Sequence, residues 1–328
     1  MKQKNIIITV VFLVVLGLLA NYLLKQQSVS NPAFKVGLVY LLQHPAIDQG
    51  IDGFKTELQK IEAETGAKFE VKYSNAFGEP KNVNGIVNGF KQDNSDVIVA
   101  LTTPCAQIAK QVITDKPVIF VGISDPIGAG LVKNLNSGFE NVTGTTSQDP
   151  NFETLELAVK LFSWMKKVGI LYTATESNSL SILNSLDDKI KSRKLAIQII
   201  KKSIVNTTEI LPATNSILKN VDALFLINDN TTISSVELLI KVAKENQKPI
   251  FASDVESVNK GALFTYGLNY KDEGKAAAHI LKQIVVDKKT PAQIPVFVNN
   301  KYYLFINKEL YKYNVDTTLV KNAEVVGK

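Results

Sequence analysis

A strict alternation of short apolar runs with helical patterns, between residues 34 and 254, leaves this chain few possible folds. The runs are rich in β-branched residues and suit buried strands: FKVGLVYLL (34–42), FEVKYS (69–74), DVIVAL (96–101), PVIFVGI (117–123), KVGILYT (167–173), AIQIIKKS (196–203), ALFLIND (223–229) and PIFASD (249–254). The segments between them, such as DQGIDGFKTELQKIEAE, have the apolar spacing of helices. Strand followed by helix, repeated, predicts right-handed βαβ units in parallel sheets that are covered on both faces.

The chain after residue 254 indicates how two such sheets are connected. GALFTYGLNY (261–270) predicts a further strand, KDEGKAAAHILKQIVVD a helix, and PVFVNNKYYLFIN (295–307) a β-ribbon. We therefore expect an α/β fold of two doubly wound parallel-sheet lobes, joined by a hinge of several strands. The predicted division gives lobe 1 residues 35–146 plus 255–287, and lobe 2 residues 147–254 plus 288–328.

The first 30 residues differ from the rest. Met1-Lys2-Gln3-Lys4 is a short basic segment, and the apolar run from Ile6 to Ala20 follows it. This order is typical of a signal peptide or of an N-terminal membrane anchor. We expect the protein to be extracytoplasmic, in the periplasm or cell envelope, exported through residues 1–30 and either cleaved or anchored there.

The charge of the chain gives no sign of nucleic-acid binding. The formal net charge is +6, but Lys2, Lys4 and Lys25 lie in the first 30 residues, where no acidic residue balances them. The remaining charges are nearly balanced and form no basic stripe, so we expect no nucleic-acid partner.

Several common chemistries are also excluded. Cys105 is the only cysteine, and the only histidines are His44 and His279, too few for a disulfide or a zinc cluster. GISDPIGAG lacks the Lys-Ser/Thr ending of a phosphate loop and the third glycine of a dinucleotide fingerprint. We find no acid–base pair or nucleophile with a clear environment. We therefore expect no metal, no cofactor and no enzymatic activity.

Polar side chains recur where the predicted strands end. Gln43 and His44 follow the first strand, Thr103 the third, and Ser124 and Asp125 the fourth. The strands of the second half are followed by Asn178, by Asp229 and by Asp254. In open α/β sheets ligands bind beyond the carboxyl ends of the strands. The same residue types also cap helices, so for each residue alone both roles remain open.

Seven segments together resemble one family. They are VGLVYLLQHPAIDQGIDGFKTEL, ALTTPCAQIA, VIFVGISDPIGAGLVKNL, NVTGTTS, GILYTATESNSL, LFLINDNTTISS and PIFASDVESVNKGALFTYGLNYKDEGKAAAHIL. In this order they are similar to the ABC-transporter substrate-binding protein family that includes tryptophan- and tyrosine-associated binding proteins, from about residue 35 to 300. The resemblance implies a type I periplasmic-binding fold, whose two lobes close on a small ligand by a hinge motion.

The resemblance also implies which residues contact the ligand. Those of the first lobe would be Gln43, His44, Thr103, Ser124 and Asp125, and those of the second lobe and hinge would be Ser147, Asn178, Asp229 and Asp254. For an amino acid, the carboxylate would rest on helix N-termini around Thr103 and Ser124. The ammonium would be accepted by Asp229 or Asp254.

We therefore expect the extracytoplasmic solute-binding component of an ABC importer. It would capture a small polar ligand, an amino acid, in the cleft between the lobes and deliver it, as a monomer, to an ABC permease in the membrane. The alternative is a membrane-anchored ligand sensor with the same fold.

Overall fold

The structure, a computed structural model, describes residues 33–147 and 150–327. The predicted signal peptide or anchor at residues 1–30 lies outside these ranges. None of the helices within them combines the length and the apolarity that crossing a membrane requires.

The described residues form strands and helices in alternation. The strands are β1 (Phe34–Tyr40), β2 (Phe69–Asn75), β3 (Val97–Leu101), β4 (Val118–Val121), β5 (Val142–Ser147), β6 (Lys167–Thr173), β7 (Gln198–Ile204), β8 (Ala223–Leu226), β9 (Ile250–Ala252), β10 (Phe264–Leu268), β11 (Phe297–Asn299), β12 (Tyr302–Asn307) and β13 (Glu324–Val326). The helices are α1 (Pro45–Thr65), α2 (Pro80–Gln92), α3 (Thr103–Val112), α4 (Asn151–Leu161), α5 (Ser177–Arg193), α6 (Ile210–Ile217), α7 (Asn230–Ser234), α8 (Val236–Glu245), α9 (Val255–Asn259) and α10 (Tyr270–Val285). Short 3₁₀ turns span Thr207–Glu209, Pro291–Gln293, Lys308–Lys312 and Thr317–Val320.

Two parallel sheets form the two lobes, as expected. The first has the order β11-β5-β4-β3-β1-β2 and the second the order β7-β6-β8-β9. Every strand pair within them is parallel. The second sheet repeats the order of the first, because β6 lies between β7 and β8 as β1 lies between β2 and β3. β3 is VIVAL and buried at all five positions, which is the pattern of a strand covered on both faces.

The chain passes between the two cores at three places. β5 belongs to the first sheet, whereas α4 packs in the core of the second lobe. β10 packs in that same core, and the helix after it, α10, packs on the first lobe. β11 then pairs with β5, and β12 returns to the second lobe beside β10. The predicted hinge of several strands is thus present.

The strand pairing differs from the sequence-based expectation after residue 254. The segment 295–307 is not a ribbon, because β11 pairs with β5 while β12 pairs with β10 in a separate sheet.

The predicted assignment of chain segments to the two lobes also differs from the hydrophobic cores in which those segments pack. Val258 and Phe264 pack in the second lobe, although 255–287 was expected in lobe 1, and Val296 packs in the first, although 288–328 was expected in lobe 2. The reason is that the chain crosses at residues 268–270 and 299–302.

β5 has no counterpart among the predicted strands, because its sequence VTGTTS is mostly polar. All six residues are nevertheless buried. The hydroxyl of Thr143 donates to the carbonyl oxygen of Ile294 at 2.9 Å, and that of Thr146 to the carbonyl oxygen of Ile123 at 2.5 Å. Since a buried hydroxyl is tolerated when it is hydrogen-bonded, threonine fills a core strand here as valine would elsewhere.

Two glycines bring α1 and α10 into backbone contact. A Cβ at Gly274 would collide with the carbonyl oxygen of Gly50, and a Cβ at Gly53 would collide with that of Lys271. Only residues without a side chain allow this approach. The contact holds the N-terminal turn of α10 against the first lobe, and two residues of that turn reach the cavity described next.

Candidate functional site

A cavity lies between the carboxyl ends of the two sheets. The space between its walls is about 580 Å³, a figure that includes the open mouth. Residues from both lobes and from α10 surround it: His44, Ala46, Ile47, Gly50, Leu101, Thr102, Thr103, Val121, Gly122, Ser124, Asn178, Asn228, Asn230, Ile233, Tyr270 and Glu273.

The cavity lies where the strand order of both sheets reverses. In the first lobe the loops after β1 and β3 supply His44 and Thr103, and these strands are neighbours at the reversal. In the second lobe the loops after β6 and β8 supply Asn178 and Asn230 in the same way. Loops on either side of a reversal diverge and leave a crevice, which is the general ligand position in doubly wound sheets.

Thr102 precedes α3, whose N-terminus faces the cavity from the first lobe. It is the N-cap residue of α3, with φ of 85° and ψ of 145°, a conformation that a residue with a side chain rarely adopts. Thr103 and Pro104 begin the helix, so the first N–H groups of α3 lie at the cavity wall. The positive end of the helix dipole and these N–H groups favour an anionic group.

His44 is enclosed at the boundary of the two lobes. Its Nε2 lies 3.4 Å from Oδ1 of Asn230, across the interlobe boundary. Burial lowers the pKa of His44 from 6.5 to about 4, so the ring is neutral at physiological pH. Nδ2 of Asn230 donates to Glu176, which leaves Oδ1 as an acceptor and therefore places the ring proton of His44 on Nε2.

Glu273 brings a carboxylate to the cavity from α10. It is only 1% exposed, and its Oε2 accepts the hydroxyl of Thr145 at 3.1 Å. Thr145 in turn accepts the backbone N–H of Gly122 at 2.9 Å. Gly122 has φ of +68° and faces the same carboxylate, so the end of β4, the middle of β5 and the start of α10 are joined at this point.

The second lobe contributes three asparagines. Nδ2 of Asn178 donates to the carbonyl oxygen of Asn228 at 2.8 Å, and Nδ2 of Asn228 donates to the hydroxyl of Tyr270 at 2.8 Å. The carboxylate of Glu176 lies behind Asn178 and Asn230 and accepts from both. Burial, and then the neighbouring Asp229 carboxylate, raise the pKa of Glu176 to about 7.

Two buried polar atoms of cavity residues have no hydrogen-bond partner among residues 33–147 and 150–327. They are Nδ1 of His44 and Oδ1 of Asn178. A buried polar atom without a partner costs about 1–3 kcal/mol, so such atoms are rare unless a ligand or water completes them. Their convergence on one cavity indicates a binding site with unused hydrogen-bonding capacity.

Four of the nine predicted site residues line this cavity, namely His44, Thr103, Ser124 and Asn178. Gln43 is exposed, and its side chain donates to Asp48 at 3.2 Å. Ser147 is buried at the end of β5, paired in register with Asn299. The structure does not bring Gln43 or Ser147 to the cavity wall.

Asp125 does not line the cavity but lies next to it, beside Ser124. Its carboxylate accepts the hydroxyl of Ser181, in the second lobe, at 2.6 Å and the backbone N–H of Gly128 at 2.8 Å. Asp125 and Ser181 both line a second, more open cavity, whose space of about 990 Å³ includes its mouth. Asp125 therefore joins the lobes beside the candidate site.

Asp229 and Asp254 do not face the cavity, contrary to the expectation that one of them accepts an ammonium. Asp229 is fully buried and accepts from the N–H of Thr173 at 2.6 Å, from Ser179 at 2.7 Å and from the N–H of Thr232 at 2.9 Å. Asp254 caps α9 through Ser257, and burial raises its pKa. Both carboxylates therefore cap helices, Asp229 at α7 and Asp254 at α9, which is the second of the two roles that the sequence left open.

Five polar residues that line the cavity were not among the predicted site residues: Thr102, Asn228, Asn230, Tyr270 and Glu273. Thr102, Asn228 and Asn230 are direct neighbours of predicted residues, so the strand ends were located correctly but the side chain facing the cavity was not. Tyr270 and Glu273 had no signal, because only the glycine contact between α1 and α10 places them here.

The described part of the chain has no cluster of metal-ligating side chains, and its cysteine is not set up as a nucleophile. Within residues 33–147 and 150–327, no three His, Cys, Asp or Glu side chains are grouped so as to hold a metal ion. Cys105 is buried, and burial raises the pKa of its thiol to about 12, which leaves it protonated and unreactive.

Comparison with known proteins is consistent with this arrangement. A tyrosine-binding protein from Clostridioides difficile (strain R20291) is 32% identical over 277 residues, which cover 84% of this chain and 79% of the relative. The crystal structure of an ABC domain from Streptococcus pneumonia in complex with L-Trp has a TM-score of 0.83 and 27% identity, and the match covers 90% of this chain and 99% of that one. A ligand-free, open substrate-binding protein with adhesive properties from Clostridium difficile, 28% identical, has a TM-score of 0.62 over 90% of this chain and 100% of its own.

The family is shown by the extent of the match. The model of the family described as "ABC transporter substrate binding protein" matches residues 35–325, nearly all of the 328. Proteins of this family bind small molecules outside the cytoplasm and work with ABC permeases, and the relatives are solute-binding proteins rather than enzymes. The expected resemblance and the periplasmic-binding-type fold are confirmed, and the chain belongs to the ABC transporter substrate-binding protein family.

Proposed function

We propose that this protein is the solute-binding component of an ABC importer and that it captures an amino acid in the cavity between its lobes. The observation that carries the proposal is the pair of unpartnered atoms on His44 and Asn178, two residues that line the same cavity from opposite lobes. These atoms belong to both lobes, so a ligand that satisfies them holds the lobes together.

The two ends of an amino acid find different partners in this cavity. The carboxylate would lie at the N-terminus of α3, where Thr102, Thr103 and Ser124 surround helix N–H groups. The ammonium would lie toward the acceptors, Oδ1 of Asn178 and the carboxylate of Glu273. This assignment replaces Asp229 and Asp254, whose hydrogen bonds serve their own lobe.

An aromatic amino acid is the ligand class to test first. The rest of the lining is apolar: Ala46, Ile47, Leu101, Val121 and Ile233, with the ring of Tyr270. Such a surface suits a large side chain without charge. One relative is a tyrosine-binding protein and one structural neighbour is a complex with L-Trp.

Closure of the lobes would create the form that the permease receives. The fold is closer to the L-Trp complex, with a TM-score of 0.83, than to the ligand-free, open structure, with 0.62, although the two identities are 27% and 28%. Contacts between the lobes support the same arrangement: His44 with Asn230, Gln49 with Glu256, and Asp125 with Ser181. The alternative of an anchored sensor depends on residues 1–30, outside the described ranges.

Calorimetric titration tests the proposal. The purified protein is unfolded, dialysed and refolded to remove any carried-over ligand, and then titrated with L-tyrosine, L-tryptophan and the other amino acids. We expect saturable binding of one aromatic amino acid per chain, and a ligand at 100 times its Kd should add about 2.7 kcal/mol to the free energy of unfolding.

The variant Asn178→Ala should weaken this binding by about tenfold, because it removes an acceptor for a charged donor. Asn184→Ala is the matched control, an exposed asparagine in the same helix, and should bind as the wild type does. Folded protein that binds no amino acid, or an Asn178→Ala variant with unchanged affinity, would contradict the proposal.

A further inference from the structure

A buried carboxylate stands behind the cavity wall of the second lobe. Glu176 is 2% exposed, is the N-cap residue of α5, and does not itself line the cavity. Its Oε2 accepts from the backbone N–H of Asn230 at 3.1 Å, from Nδ2 of Asn230 at 2.5 Å and from Nδ2 of Asn178 at 3.4 Å. Its Oε1 accepts from the N–H of Thr231 at 3.3 Å and from the hydroxyl of Thr231 at 2.9 Å.

These bonds fix which way the two amides point. Nδ2 of Asn178 lies between two acceptors, Glu176 and the carbonyl oxygen of Asn228, so the opposite orientation would set a carbonyl oxygen against both. Nδ2 of Asn230 is held by the same carboxylate. The carbonyl oxygens of the two amides therefore point away from Glu176. No described residue donates to Oδ1 of Asn178, and Oδ1 of Asn230 lies against Nε2 of His44.

We propose that Glu176 is a positioning residue that turns the amide of Asn178 so that its Oδ1 is offered to the ligand, and so selects a ligand with N–H donors such as an ammonium group. The inference rests on the proposed function, since it concerns the same cavity. Asparagine alone does not discriminate, because its amide presents a donor or an acceptor after a rotation of 180°. The carboxylate removes that freedom without touching the ligand.

The charged form of Glu176 is the one that holds both amides, because a carboxylate has only acceptor sites and its protonated form has a donor. Burial and Asp229 raise its pKa to about 7, so its charge changes near neutral pH. Asp229 faces it from the end of β8, Cys105 faces it from α3, and His44 is joined to it through Asn230. Above this pKa the carboxylate is charged, and an ammonium nearby favours that form. Ligand affinity should therefore rise as the pH rises from 6 to 8.

The test compares wild type, Glu176→Gln and Glu176→Met by calorimetry at pH 6, 7 and 8, with L-tryptophan and L-tyrosine as probes. Asp222→Asn is the matched control. Its carboxylate accepts the N–H groups of Lys166 and Lys167 at 2.8 Å, at the far end of β6 from the cavity. Thermal melts of each variant establish that it is folded.

We expect Glu176→Gln to bind about tenfold more weakly than wild type at pH 8 and to lose the rise in affinity between pH 6 and 8. Asp222→Asn should keep both the affinity and the pH profile. Glu176→Met should lose more affinity than Glu176→Gln, because it has no acceptor; if it does not fold, the pH profile of Glu176→Gln decides.

The outcomes separate this inference from the proposed function. A wild type that binds no amino acid overturns both. A wild type that binds, with Glu176→Gln equal to it in affinity and pH profile, overturns only the role of Glu176. An equal loss in Asp222→Asn reduces Glu176 to a structural carboxylate and also overturns the inference.

Discussion

At the scale of single residues, two enclosed groups differ in how completely they are hydrogen-bonded. Among the residues that the structure describes, Asp229 accepts four hydrogen bonds from its own lobe, two of them from Thr173, whereas Nδ1 of His44 has no partner. The first group stabilises the carboxyl end of β8 and the start of α7. Nδ1 of His44 is left available to a ligand. The two residues differ in this way although each follows a strand of a parallel sheet.

Asp229→Asn should therefore lower stability more than affinity. The asparagine NH₂ group would face an N–H donor of Thr173 or Thr232, and leaving a buried donor unpaired costs about 1–3 kcal/mol. Urea unfolding would measure this loss, and calorimetry would show whether the amino-acid affinity stays within about threefold of wild type, or 0.7 kcal/mol. A variant of normal stability that no longer binds would return Asp229 to the ligand site.

His44 should make stability fall in acid. Its pKa is about 4 in the folded protein against 6.5 when unfolded, so between these values the unfolded chain binds the proton that the folded protein does not. The free energy of unfolding should lose up to about 3 kcal/mol as the pH falls from 6.5 to 4. Denaturant titrations of wild type and His44→Gln over this range measure it, and the difference between the two proteins should change across that window only. A difference that does not depend on pH would exclude a buried, neutral imidazole.

At the scale of elements, the packing of α10 against α1 determines which residues of α10 line the candidate site. Gly274 and Gly53 allow the backbones to touch, and this contact sets where Tyr270 and Glu273 reach the cavity. A helix rarely benefits from glycine, which costs about 1 kcal/mol relative to alanine, so these glycines are explained by packing rather than by helix propensity.

Gly274→Ala should destabilise the protein and weaken ligand binding together, because the added Cβ would meet the carbonyl oxygen of Gly50 and separate the helices. The expected loss of stability is about 2 kcal/mol or more, as for other overpacked contacts. Gly85→Ala is the control, since a Cβ at Gly85 in α2 has no neighbour within 4 Å and should stabilise by about 0.5–1 kcal/mol. Melting curves and calorimetry of the two variants measure this, and equal effects would refute the packing argument.

At the scale of the whole molecule, side-chain hydrogen bonds join the two lobes and would stabilise the proposed closed form. The hydroxyl of Ser181 reaches Asp125 in the first lobe at 2.6 Å, and Gln49 reaches Glu256 in the second. If the lobes close on the ligand as proposed, these contacts would form on closure, and they would stabilise the closed form rather than the initial encounter with the ligand.

Ser181→Ala should therefore speed ligand dissociation by about fivefold to tenfold, the equivalent of one hydrogen bond, with little change in the association rate. Stopped-flow fluorescence of the bound protein would measure both rates. Ser185→Ala, four residues later in α5 and exposed, is the control and should behave as wild type. A slower association in Ser181→Ala, with dissociation unchanged, would contradict this stabilisation of the closed form.

Most of the fold could be predicted, because apolar runs report burial directly. The eight strands of 34–254 that the sequence indicated are present, whereas β5 was hidden by threonines whose hydroxyls bond to backbone carbonyls. For the site, the sequence located the strand ends but not which side chain faces inward. Asn228, Asp229 and Asn230 are three adjacent polar residues, but only the two asparagines face the cavity, whereas Asp229 is buried in its own lobe. The direction in which each side chain points depends on the local backbone conformation, which the residue types alone do not reveal.

The three passages of chain between the lobes have a mechanical consequence. A single connection would leave the relative movement of the lobes little restricted, whereas three connections, from β5 to α4, from β10 to α10 and from β11 to β12, would favour rotation about one axis. Two lobes restricted in this way would lose less conformational entropy on closing than lobes on a single connection would. A larger part of the contact energy with the proposed ligand would then remain as affinity.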